Sequence, residues 1–122
     1  MTFDLDIRDV LSDATSGRVY PSVLAQGTIL PAITYQRVST RRVRSHGGTS
    51  LVLPLYQVAC WDATPVGARD VARDVIDAFE SELGVWLVEN QFEDFASEQK
   101  LYRVLIDVRL WAGVEEEVGA GS

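Results

Sequence analysis

Apolar and polar residues recur along this chain with two periods, and their order predicts an α+β fold. Phe3, Ile7, Val10, Leu11 and Ala14 repeat at helical spacing, with Asp4, Asp6, Arg8 and Asp9 between them. Thr2 suits a helix N-cap, the acids suit the positive end of the helix dipole, and Gly17 suits a left-handed stop. A short extended piece, Arg18 to Pro21, and a loop from Ser22 to Thr28 follow. Pro31 then opens a strand that reaches Arg44. If that strand is regular, Ile33, Tyr35, Arg37, Ser39, Arg41 and Val43 share one face, and Arg41 points away from Arg42. The polar tip Ser45-His46-Gly47-Gly48-Thr49-Ser50 turns the chain back into a return strand from Leu51 to Trp61. Pro54 lacks a backbone donor, so the return strand should be an edge or carry a bulge there.

Thr64-Pro65 places a cap residue before a proline, a strong helix start. Ala68, Val71, Ala72, Val75, Phe79 and Leu83 form the apolar stripe of this second helix, and Gly84 ends it. Val85 to Phe92 is a further strand. The acidic stretch from Glu93 to Lys100 suits a loop. Leu101 to Trp111 alternates most clearly of all, with Tyr102, Val104, Ile106, Val108 and Leu110 on one side. The order α-β-β-α-β-β predicts an antiparallel sheet of two hairpins, about four main strands, packed against two helices. Residues 1–113 make one domain on this view, and residues 114–122 an acidic flexible tail.

Composition narrows the chemistry. The chain has 122 residues, enough for one domain, and 47% of them are hydrophobic. No apolar run approaches the ~20 residues of a membrane-spanning helix, so no membrane partner is expected. Met1 to Asp6 has neither a basic nor an apolar leader region, and the chain is expected to remain in the cytoplasm where it is made. Cys60, the sole cysteine, lies in strand-like sequence and should be a buried, inert thiol. His46, the sole histidine, lies in a glycine-rich tip without a fixed partner, poor material for a general base. Asp70, Asp74 and Asp77 share a helix with arginines and suit a solvated face better than a metal cluster. Gly47-Gly48 precedes a strand, whereas a phosphate loop precedes a helix. No catalytic residue, metal or cofactor is expected, and the chain should not be an enzyme.

The charge distribution is the most suggestive feature. The formal net charge of −7 speaks against a DNA-coating protein. Between Ala14 and Trp61 there is no Asp or Glu, only Arg18, Arg37, Arg41, Arg42 and Arg44. A chain divided this way can present one basic and one acidic surface, which favours head-to-tail contact between copies. Three roles compete for the arginines: an acidic partner, passing DNA, or a solubilising edge.

The ordered set of segments resembles the tail-completion family of siphophages, which includes tail-to-head joining proteins and subunits of gene-transfer particles. The matching pieces are Gly17-Arg18-Val19-Tyr20-Pro21, Leu30 to Ser39, Tyr56-Gln57-Val58-Ala59-Cys60-Trp61, and Tyr102 to Trp111, with an amphipathic helix between the last two. Ala32 departs from an expected aromatic, and the acidic tail lies outside the pattern. The resemblance implies monomers that form a hexameric ring on a finished tail tube, at the head-proximal end of the virion. That tail terminator would contact the major tail-tube protein and a head-completion or connector protein, while DNA passes through its lumen. The candidate interface pairs Arg37, Arg41, Arg42, Arg44 and His46 on the hairpin with Glu93, Asp94, Glu98, Glu115, Glu116 and Glu117 on a neighbour. Another virion part, or a cytoplasmic ligand-binding module, are the rival expectations.

Overall fold

A computed structural model describes residues 3–12, 18–44, 49–82, 85–110 and 114–117. Its elements run α1 (Phe3–Ser12), β1 (Val19–Pro21), β2 (Ala32–Arg44), β3 (Thr49–Asp62), α2 (Pro65–Glu80), β4 (Trp86–Ala96), β5 (Leu101–Leu110) and β6 (Val114–Glu117). Thr2, Ala14, Gly17, the tip residues Ser45 to Gly48, Leu83, Gly84, Trp111 and residues 118–122 lie outside the described residues.

The helices form where side-chain pattern and capping agree. Thr64 Oγ1 accepts the Gly67 amide at 3.0 Å, and Pro65 occupies the first turn. Cap and proline together satisfy or remove amides that a helix start leaves unpaired. The stripe Ala68, Val71, Ala72, Val75 and Phe79 is buried. Ile7 and Leu11 of α1 join it in one core.

The sheet runs β1-β2-β3-β5-β4, with β6 also paired to β3. Both expected hairpins are present, but the strands among the described residues number six rather than about four. β1 lies parallel to β2, with Val19, Tyr20 and Pro21 opposite Ile33, Thr34 and Tyr35. The sheet is therefore mixed rather than wholly antiparallel. The segment between β1 and β2 makes this geometry possible by crossing the sheet face that the helices leave open. Leu24 and Leu30 pack there against Ala32, Ala59, Trp61, Ala96 and Leu105.

The opposite face carries the main core. Ile33, Cys60 and Val104 form one row across the sheet, and Tyr35, Val58 and Ile106 the next. All six are buried in the helix-covered cluster. Phe79 of α2 packs on Trp86 with ring centres 5.0 Å apart, and Tyr56 meets the same indole edge-on at 6.3 Å. Cys60 is wholly buried, and burial pushes its thiol pKa well above the usual range, so little thiolate forms near neutral pH.

Two boundaries differ from the sequence pattern. β4 continues through Glu93, Asp94 and Phe95 to Ala96, where a loop was expected, and only residues 97–100 turn. Val114–Glu117, expected within a flexible tail, forms β6 opposite Thr49–Val52. In each case backbone pairing to a strong neighbour outweighs the low strand preference of acidic side chains.

The packing makes a direct prediction. Phe79→Ala should destabilise the fold by about 3–5 kcal/mol, because it leaves a void beneath Trp86. Urea unfolding followed by tryptophan fluorescence measures it.

Candidate assembly surface

The far half of the β2–β3 hairpin forms an arm with a defined irregularity at its root. β5 pairs with β3 as far as Leu55, and β6 resumes from Val52. Leu53 and Pro54 fall between these two ladders. A proline is tolerated there because no ladder bond is asked of its missing N–H. On the other side of β3, β2 slips register between Arg37 and Ser39, leaving Val38 as a bulge.

That bulge changes which arginines share a face. Arg37 stands opposite Tyr56, and Arg42 opposite Val52. Tyr56 and Val52 lie on the same side of β3, so Arg37 and Arg42 share the helix-bearing side. Arg41 stands opposite Leu53, on the other side. The expected grouping of Arg37 with Arg41 is thus broken by the one extra residue, whereas Arg41 and Arg42 do point apart. Arg37 Nε donates to Thr40 Oγ1 at 3.0 Å across the bulge. Gln36 through Arg42 are all exposed. Arg44 pairs with Ser50 in the backbone ladder, and His46 lies outside the described residues.

The acidic candidates fall in three places. Glu115 and Glu116 stand opposite Leu51 and Ser50 on β3, while Val43 and Arg44 of β2 pair with the same two residues. The acidic strand and the basic strand therefore flank β3 within one chain. Glu117 stands opposite Thr49. Glu98 lies in the β4–β5 turn, lining an open groove with the segment from Leu24 to Thr28. Glu93 and Asp94 lie on β4 and are already engaged.

Each of those two carboxylates is gripped by an arginine of its own chain. Arg69 on α2 reaches Glu93 through Nε and Nη2, both at 2.8 Å. Arg103 on β5 holds Asp94 through Nε at 2.9 Å and Nη2 at 2.6 Å. These forks lower both carboxyl pKa values, through the hydrogen bond first. The Arg103 guanidinium also lies 5.2 Å from the centre of the Trp61 ring, a cation–π contact. Trp61 Nε1 in turn donates to Thr34 Oγ1 at 2.9 Å. Glu93 and Asp94 thus anchor β4 to α2 and β5.

A third pair escaped the sequence pattern. β4 shifts register between Val88 and Asn90, so Glu89 is a bulge residue. Arg109 Nε donates to Glu89 Oε2 at 2.8 Å, and its Nη1 donates to the Leu53 carbonyl at 3.1 Å. Its side chain keeps only 14% of its exposure. Arg109 therefore ties the β4 bulge to the gap beside Pro54. The period-two signal sets Arg109 on the face opposite Val108 and Leu110 without naming a partner, and nothing in it marks Glu89 as an extra residue.

Among the described residues, no group of three or more His, Cys, Asp or Glu side chains is arranged to hold a metal ion. No helix among them is long and apolar enough to cross a membrane.

No protein-family model matches the sequence, and no curated protein matches it. The fold is shared with a solved chain from the "virion of native gene transfer agent (GTA) particle". The two are 14% identical, with a TM-score of 0.67 over 87% of this chain and 84% of the other.

Two tests follow from the ion pairs. Arg109→Ala should destabilise the fold by about 1–3 kcal/mol, since Glu89 and the Leu53 carbonyl both lose a donor; denaturant unfolding measures this. Asp94 has a lowered folded-state pKa, so its stabilisation is complete above its unfolded value near ~3.9 and disappears as pH falls through the folded value. The stability gap between the parent chain and Asp94→Asn should therefore be widest near neutral pH and close below about pH 4, as read by urea midpoints across that range.

Proposed function

We propose that this chain is a structural virion subunit that caps the head-proximal end of a long phage-type tail tube as a ring. It stops tube growth and presents the surface to which the head joins. The observation that carries this reading is the arm: an exposed strand with Arg37, Arg41 and Arg42, on a domain whose remaining charge is acidic. A basic edge strand on one side of the sheet and a net acidic stretch from Asp62 to Leu110 on the other suit repeated head-to-tail contact, and such contact closes into a ring when the rotation between copies allows it.

The likeness of fold to a chain of the gene-transfer-agent virion supports placing the protein in a particle of that kind. The proposed partners are further copies, six to a ring, the major tail-tube protein below and a head-completion or connector protein above. DNA crosses the lumen without sequence-specific contact. In this role the chain needs no catalytic group or cofactor. Its work is done by surfaces, and the free energy comes from burying them.

The test is charge reversal on the arm. Arg41→Glu with Arg42→Glu should leave the chain folded, because both side chains are exposed; circular dichroism and urea unfolding check this. Tail assembly with this variant should give tubes of uncontrolled length that fail to join heads, measured by electron microscopy. Normal tail lengths and normal head joining would remove the arm from the mechanism. Gold labelling of the chain away from the head-proximal tail end would instead favour another virion part.

A further inference from the structure

The strand order leaves two open sheet edges among the described residues. β1 covers β2 only opposite Ile33–Tyr35, so the outer edge of β2 from Gln36 to Arg44 has no strand beside it. At the far side of the sheet, the outer edge of β4 has none along its whole length. Open edges of this length are templates for further pairing, and soluble proteins usually blunt them. Here each edge carries one bulge, at Val38 and at Glu89, and a regular run beyond it: Ser39–Arg44 on β2 and Asn90–Ala96 on β4.

We propose that copies of this chain join by adding the outer edge of β2 in one copy to the free edge of β4 in the next, antiparallel, so that one sheet continues from subunit to subunit. The inference rests on the ring reading and names the surface that makes the ring. Four observations carry it. The two edges lie on opposite sides of one sheet, as a head-to-tail contact requires. Their directions fit, because β2, β3, β5 and β4 alternate and the next strand in that series is antiparallel.

Their chemistry also fits. The β2 edge bears arginines and no acid, whereas the chain from Asp62 to Leu110 holds eleven carboxylates against five basic residues. The carboxylates on β4 itself are already held by Arg69, Arg103 and Arg109, so covering that edge strands no unpaired charge. Apolar side chains stand beside it: Leu87, Phe92 and Phe95 are 45%, 41% and 51% exposed. A strand laid along β4 would shield them from water.

The geometry closes as well. Gln36, Gln57, Asp107 and Asn90 lie in one row, so Ala96 stands six residues beyond that row. β1 blocks β2 above Gln36, and an incoming β4 must therefore slide down by about six residues, ~20 Å. The four strands from β2 to β4 span about 19 Å. That offset corresponds to a strand tilt of about 45°, at the upper end of the range for closed barrels.

Amide hydrogen exchange tests this on the full chain, free and assembled on tail tubes. Assembly should slow exchange of amides in Gln36–Arg44 and in Asn90–Ala96 together, by at least about tenfold. A second variant isolates the backbone. The Ile33 amide donates outward to the Arg18 carbonyl, and the extra residue at Val38 shifts the alternation so that the Thr40 amide also faces outward. Thr40→Pro should melt like the parent yet form no rings. Rings that form while both segments exchange as in the free chain, or rings formed normally by Thr40→Pro, overturn the edge pairing and leave the ring reading standing. Failure of the parent chain to form any ring on tube ends refutes both.

Discussion

A proline in the central strand sets the plan of this molecule. β3 is flanked on both sides, and Pro54 removes a donor from the middle of it. A central strand tolerates that only where a neighbour withdraws. β5 and β6 leave Leu53 and Pro54 between their ladders, and β2 bulges at Val38 one row away. The irregularity divides the sheet into a part packed under α2 and an arm made of β2, the start of β3 and β6. Arg109 bridges the division by donating to the Leu53 carbonyl and to Glu89. The guanidinium thereby ties a buried stretch of β3 to the β4 bulge through two charge-assisted hydrogen bonds.

The same constraint sorts the charges. The carboxylates that could have made β4 a repelling edge are turned to arginines on α2 and β5, so they fasten the strand to its own domain. Exposed ion pairs contribute little to stability individually. Their effect here is positional: they hold Glu93 and Asp94 in strand geometry that their intrinsic preference disfavours. The arginines of the arm stand on a strand with no acid of its own. A basic outer edge on β2, with the net acidic stretch from Asp62 to Leu110 elsewhere in the chain, would favour one orientation between copies in the proposed ring.

Much of the fold was legible from periodicity because one sheet face and one helix face are thoroughly apolar. The rows through Ile33, Tyr35, Val58 and Ile106 alternate cleanly, and Thr64-Pro65 started α2 where a cap and a proline belong. What escaped the pattern shares a physical cause. β1 is three residues long, too short for any period to register. β4 is an edge strand with water on much of both faces, so its polar end resembled a loop until Arg69 and Arg103 were in place. Bulges at Val38 and Glu89 are set by what the neighbouring strands do, and no local signal distinguishes such a residue from its flanks. The arm arginines were legible as a group, and so was the opposition of Arg41 to Arg42, but the bulge that sets Arg37 with Arg42 was not. The acids of β6 were legible as charge, but not as a strand that flanks β3 opposite the arginine-bearing β2 of the same chain.

A solitary subunit must avoid the contacts that a ring exploits. An edge strand with exposed Leu87, Phe92 and Phe95 invites indiscriminate pairing. Two features restrain it in the free chain. The bulge at Glu89 interrupts the run of regular pairing, and the bulge at Val38 does the same on β2. Two copies that met through their β2 edges would place arginine against arginine, which repels. In the proposed pairing of β2 with β4, the offset past β1 prevents a flat, in-register stack of the kind that grows without limit. A sheet that can extend in one sense only, and only at a tilt, is biased toward closure over open growth. In the proposed role the arm's charge and the two bulges are therefore parts of one device. The arginines of β2 disfavour a second β2 edge, and the bulges with β1 fix how far along β4 the next copy sits.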